Sequence, residues 1–211
     1  MNKHIFFVLS FLVLNSFNCF SQDEEMSIIN SNQLREKIIE KSKETLTIVS
    51  DFEQFKHLDF LSNDIKSSGK LVFKSPNFIK WEYTVPFKYS VVFKNDKLFI
   101  NDEGVKSKID LSSNKTFKSL NNLIIKSVKG DMFDDNLFDI KYFKNTKNYI
   151  IKFYPKDSSL KSIINVFILS FDKESLDVVE IIMKENLEDY TLLKFVNQKI
   201  NTPVNDEVFT N

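Results

Sequence analysis

Apolar and polar residues alternate with a period of two through most of this chain, and the clearest case is Gly69–Pro86. Leu71 and Phe73 alternate with Lys70, Val72 and Lys74. After Ser75-Pro76-Asn77, Ile79, Trp81 and Tyr83 alternate with Lys80, Glu82 and Thr84. A period of two puts one apolar row on one face of a sheet, so two strands joined by a turn are predicted. Pro76 presets φ for that turn and Asn77 tolerates left-handed backbone. Pro86 has no N–H for a ladder and ends the second strand.

The same period recurs on both sides. Leu46–Leu58 reads as a long strand with Leu46, Ile48, Ser50, Phe52 and Gln54 on one face. Phe87–Phe93 and Lys97–Asn101 form a hairpin across Asn95-Asp96, with Val91 and Phe93 on the covered face; Val105–Leu111 follows. Later strands are predicted at Leu137–Phe143, Tyr149–Phe153, Ile163–Phe171, Leu176–Lys184 and Asp189–Asn197.

Two stretches switch to a helical period. Ser31–Thr45 carries Leu34, Ile38 and Ile39 on one stripe, with Ser31 or Asn32 as its cap. Ser112–Lys129 carries Phe117, Leu120, Ile124 and Val128, widened by Leu123, with Lys118, Asn121, Asn122 and Lys126 mainly outside; Gly130 can end it. The count is about eleven strands and two main helices. The fold class expected is mainly β (α+β), a curled antiparallel sheet with an amphipathic helix interrupting the run of strands.

Met1–Ser21 has the anatomy of a secretory signal peptide. Lys3 supplies positive charge, Ile5–Phe17 the apolar stretch, and Cys19 and Ser21 the small residues of a cut before Gln22. One folded domain, residues 22–211, is expected to follow it. The rival is a lipoprotein signal with Cys19 as the acylated residue, against which Asn18 just before it counts. Cleavage after Ser21 leaves no cysteine, hence neither disulfide nor thiolate chemistry.

Composition narrows the function. Formal net charge is zero, so no bulk electrostatic attraction draws this chain to nucleic acid. Lysines between Lys141 and Lys156 alternate with aromatics and fall on the outer face of their strands. His57 is the only histidine after the leader, and three scattered glycines make no phosphate loop. Asp131, Asp134, Asp135 and Asp139 lack the spacing and glycine of a calcium loop. No metal, cofactor or catalytic constellation is expected, so an enzyme is the least favoured class. Phenylalanine is abundant, at 22 residues, which suits a wide aromatic lining inside something hollow as well as it suits a compositional bias.

The spaced residues Gly69, Leu71, Phe73, Pro76, Trp81, Tyr83 and Pro86, with Phe52 and Gln54 upstream and the tail Asn201–Phe209, resemble the LolA family of periplasmic outer-membrane lipoprotein carriers. That resemblance implies an incomplete antiparallel β-barrel of eleven strands whose hollow is lidded by helices. It implies a monomeric periplasmic carrier that takes acylated lipoproteins from an inner-membrane ABC-type releasing complex and passes them to an outer-membrane acceptor. The acyl-lining residues it implies are Phe52, Leu71, Phe73, Trp81, Tyr83, Val91, Phe93, Phe117, Leu120, Ile124 and Val128. Many family members place an Arg just before the turn proline to hold the lid; here Ser75 stands there, with Lys74 facing the other side. A related carrier of a non-protein lipid, a lipid-anchored LolB-type acceptor and an envelope-stress sensor remain the alternatives.

Overall fold

The computed structural model describes residues 23–95, 97–110, 123 and 125–210. Twelve strands lie in them: β1 Glu24–Glu25, β2 Thr47–His57, β3 Ile65–Lys74, β4 Phe78–Val85, β5 Tyr89–Lys94, β6 Lys97–Asp102, β7 Val105–Asp110, β8 Phe138–Lys144, β9 Asn148–Pro155, β10 Val166–Asp172, β11 Val178–Lys184 and β12 Tyr190–Ile200. They form one antiparallel sheet in the order β1-β8-β9-β10-β11-β12-β2-β3-β4-β5-β6-β7. Sequence neighbours pair as hairpins from β2 to β7 and from β8 to β12, β1 pairs with β8, and the pairing of β12 with β2 joins the two halves of the chain. The outer strands β1 and β7 do not pair with each other, so the sheet is an unclosed barrel.

Helix α1, Ile28–Glu44, lies against the inner face through Leu34 and Ile38, which belong to the same buried cluster as Ile48, Phe52, Leu71, Phe73 and Ile79. Its N-cap is Ser27, whose Oγ accepts from the Asn30 amide. The sequence placed the start at Ser31 or Asn32, but Ser31 is already inside the helix and its hydroxyl donates to the Ser27 carbonyl at 2.9 Å. At the other end Asn201, with φ of 57°, accepts from the Leu46 amide and donates to the Glu44 carbonyl. This one side chain ties the exit of α1 to the end of β12.

Residues 125–129, together with Leu123, are helical and are called α2 here. Gly130 ends it at φ of 77°, and the Asp131 amide bonds the Lys126 carbonyl at 2.8 Å, a left-handed glycine stop of the kind predicted. Two further features differ from the sequence reading. The twelfth strand is β1, two residues paired with Lys144 and Phe143 and too short to show a period. The predicted strand Ile163–Phe171 begins only at Val166, because Ser158–Lys161 forms a helical turn, α3, before it.

The C-terminal segment covers part of the outer face. The last turn, Asp206–Phe209, packs on β4 and β5, where Phe209 and Phe78 meet at 5.5 Å between ring centres. Lys74 holds this tail from the same side by bonds to the Val204 carbonyl and the Asp206 carboxylate. Val92, on that face of β5, is fully buried.

Candidate functional site

The inner space of the barrel divides into a filled half and a hollow half. Near the turn Ser75-Pro76-Asn77, α1, α2 and the strands pack solidly, with Leu71, Phe73, Ile79, Ile151, Leu169 and Phe171 all fully buried. Towards the opposite rim lies an apolar cavity of about 320 Å³, within the ordinary size of a small-ligand site. Trp81, Tyr83, Tyr89, Val91 and Phe93 wall one side; Phe167, Ile181, Met183 and Leu193 wall the other, with Gln54, Ser127 and Thr191 between.

Registry explains the wall. Ile79, Trp81 and Tyr83 face Phe93, Val91 and Tyr89 across β4 and β5, so one inward row continues onto the next strand. Met183 and Ile181 likewise face Thr191 and Leu193 across β11 and β12. The inward rows end within a residue or two of the strand ends, at Tyr89, Thr191 and Tyr83, so the hollow reaches that rim. A second concavity of about 680 Å³, between Lys70, Glu82, Lys88, Asn101 and Glu103, mixes polar and charged side chains with Tyr83 and Tyr89.

Polar groups in the wall are few. Tyr83 Oη donates to Gln54 Oε1 at 2.9 Å, and burial, aided by neighbouring Tyr89, pushes the Tyr83 phenol up to about 12. The Trp81 indole N–H is buried without a hydrogen-bond partner among the described residues. Its ring is packed between Phe52, at 5.4 Å, and Phe195, at 6.3 Å.

Of the lining residues expected, Trp81, Tyr83, Val91 and Phe93 stand together on this wall. Phe52, Leu71, Phe73 and Val128 do not; they are buried in the packed half, where α1 and α2 fill the space that a fully hollow barrel would leave to them. Phe117, Leu120 and Ile124 lie outside the described residues, as does the leader with Cys19. The described part of α2 is buried on more than one stripe: Leu123, Ile125 and Val128 are all in the core, while Ser127 faces the cavity. The far wall, Ile181, Met183 and Leu193, was absent from the expected lining although the strands were predicted. Only the pairing of β12 with β2, across more than a hundred residues of sequence, brings it opposite Trp81.

Polar contacts tie elements together at the packed half and at the rim. Arg35 on α1 bonds Asp135 at 2.7 Å, reaches the Phe133 carbonyl and sits 5.6 Å from the centre of the Phe133 ring. It therefore clips α1 to the segment that leaves α2. Among the described residues Ser75 makes no side-chain bond of this kind; its amide donates to the Leu46 carbonyl at the rim away from the hollow. His57 stacks on Tyr190 at 4.9 Å and bonds Asp64 at 2.8 Å. Among the described residues no group of three His, Cys, Asp or Glu side chains could hold a metal.

The fold has relatives among solved structures. An uncharacterized conserved protein from Thermus thermophilus superposes with a TM-score of 0.54 at 8% identity, over 85% of this chain and 92% of that one. Lipoprotein LppX of Mycobacterium tuberculosis gives 0.50 at 13% identity, over 85% and 99%. A LolA superfamily protein from Nitrosomonas europaea gives 0.46 at 13% identity, over 84% and 97%. At these identities the likeness is one of fold alone. No curated protein matches the chain. The family described as outer membrane lipoprotein carrier protein LolA matches residues 43–211, from the end of α1 through the last residue of the chain. The match spans β2 to β12 and the tail held by Lys74, and by it this chain belongs to the LolA family.

Proposed function

We propose that this chain is a periplasmic carrier that shields lipoprotein acyl chains in the hollow half of its barrel and moves them from the inner to the outer membrane. The observation that carries the reading is the cavity itself, walled by Trp81, Val91, Phe93, Ile181 and Leu193 on the inner side of an unclosed sheet. Each methylene removed from water is worth about 0.8 kcal/mol, so a free acylated chain in an aqueous compartment aggregates or joins the nearest membrane. A wall of aromatic and aliphatic side chains accepts such chains without reading their sequence or length. The carrier makes and breaks no covalent bond. An inner-membrane ABC-type complex would load it and an outer-membrane acceptor would relieve it; the leader would direct it to the space between them.

Mass spectrometry of the chain purified from the periplasm without detergent tests this. Co-purified acylated peptides support the lipoprotein carrier. Phospholipid or another lipid alone would favour a carrier of non-protein lipid. Failure to retain any lipid, together with failure to bind a fluorescent fatty acid, would overturn both. An intact mass showing acylated Cys19 would favour the lipid-anchored acceptor instead.

A further inference from the structure

Apart from Ser127 on α2, the polar side chains of the cavity wall gather near its mouth. Gln54, Tyr83, Tyr89 and Thr191 lie within a few residues of the strand ends at that rim, while Trp81, Val91, Phe93 and Ile181 lie further in. Tyr83 donates to Gln54 Oε1, which occupies the amide oxygen and leaves the Nε2 group as a donor. Among the described residues neither that Nε2 group nor the Thr191 hydroxyl has a partner, and both side chains are half-buried. The two are neighbours on the inner face. Leu193 pairs with Gln54 and Thr191 with Lys56, so Thr191 and Gln54 stand diagonally across β12 and β2, roughly 7–8 Å apart between Cα atoms. An amide N–H and a hydroxyl at that spacing can both donate to one carbonyl oxygen, which has two lone pairs to receive them.

We propose that Gln54 and Thr191 seat the ester or amide carbonyl of an acyl chain at the mouth of the cavity, so that this site takes neutral acyl groups in preference to fatty-acid anions. The inference rests on the carrier reading above for the acyl chain itself, and adds the head group and the residues that hold it. Two observations select a neutral head. None of the described residues lining the cavity is charged, so a carboxylate drawn in to the depth of Gln54 would leave water without a countercharge. The connections β11–β12, β2–β3 and β4–β5, which border the mouth, carry Asp59, Asp64, Glu185, Glu188 and Asp189 against Lys88 alone, and repel an anion at its point of entry. Lys56, at the same rim, is already bonded to Glu185. A neutral carbonyl meets neither penalty. It gains two hydrogen bonds that a bare hydrocarbon lacks, while the chain beyond it lies along Trp81, Val91 and Ile181. A fatty acid still enters by its chain, but its head stays in water and less of the chain is buried.

The test is fluorescence titration of the chain from Gln22 onward, which contains all twelve strands, with three probes of one chain length and label: a fatty acid, its methyl ester and the hydrocarbon without a head. At about pH 8, where the free acid is ionised, the wild type is expected to bind the ester about ten-fold more tightly than the acid. Gln54→Leu and Thr191→Val are each expected to lower ester affinity about five-fold, the worth of one hydrogen bond, and to leave hydrocarbon affinity unchanged. A merely structural role would lower both together. If Gln54→Leu does not fold, having lost its bond to Tyr83, Thr191→Val decides alone. Equal binding of acid and ester by the wild type, or a variant that lowers ester and hydrocarbon equally or lowers neither, would overturn the carbonyl site and leave the carrier reading standing. Failure of the wild type to bind any of the three probes would remove the acyl cavity, and this site with it.

Discussion

Tyr83 on β4 donates its hydroxyl to Gln54 on β2, passing over the strand that separates them. The passage exists because Gly69 of β3 pairs with Phe52 on one side and Tyr83 on the other, and so leaves the inner face of β3 without a side chain there. The Tyr83 ring fills that gap edge-on to Phe52, at 5.0 Å between centres. A single glycine thus joins the packed half of the barrel to the wall of the cavity.

Gly69→Ala is expected to be among the most damaging single changes. A methyl group there would lie 1.9 Å from the Glu82 carbonyl oxygen, which is backbone and has no rotamer to escape into. Overpacking on this scale costs about 3 kcal/mol or more. Urea denaturation measures it; a loss under about 1 kcal/mol would show that the irregular pairing at Ser68 and Gly69 yields easily.

Tyr83 also sets a pH dependence. Its folded pKa, about 12, lies above the ordinary tyrosine value of 10.0, so the folded state favours the protonated phenol. The stability this contributes is fully present below about pH 10 and is lost as pH rises through 10 to about 12. Tyr83→Phe is expected to cost about 1 kcal/mol near neutral pH, the worth of one hydrogen bond. It should also flatten the fall in stability at alkaline pH. Stability curves of both proteins from about pH 8 to about pH 12 check this, and parallel curves would contradict it.

Arg35 takes a role in holding α1 that the sequence did not assign. Arg35→Ala is expected to cost under about 1 kcal/mol, since the pair with Asp135 is open to solvent. Its clearer effect should be faster amide hydrogen exchange in residues 131–135, whose link to α1 it removes. Arg35→Lys should not restore protection, because a lysine cannot bond Asp135 while reaching the Phe133 carbonyl and ring. Restored protection in the lysine variant would reduce the contact to simple charge pairing.

Period-two alternation carried most of the sheet, since a half-buried strand displays its face in its own residues. Thr47–His57, Ile65–Lys74 and Phe78–Val85 were therefore legible in outline. What the period does not display is what lies against the face. Phe73 and Trp81 sit on the same inward face, yet one is roofed by helices and the other faces a void. That difference depends on where α1 and α2 rest, which is set by contacts remote in sequence. Ile125 shows the same limit, because a helix wedged into a barrel is buried around more of its girth than its stripe reveals.

The division into filled and hollow halves makes its own prediction. Leu71 is fully buried among Phe73, Ile79 and the α1 residues, so Leu71→Ala leaves a cavity in close packing and is expected to cost about 2–5 kcal/mol. Leu193 is also apolar and also faces inward, but it is only half-buried and borders space that is already empty. Its truncation removes fewer contacts and opens no new void, so Leu193→Ala should cost well under half as much. The order reverses for ligand. Leu193→Ala enlarges the cavity and removes one of its walls, and should change fatty-acid affinity several-fold. Leu71→Ala should leave affinity per folded molecule unchanged. Urea midpoints and fluorescent fatty-acid titrations of the two variants, run side by side, measure both effects. Equal destabilisation by both would mean that the hollow half is packed in solution, and the cavity would then lose its claim to the cargo.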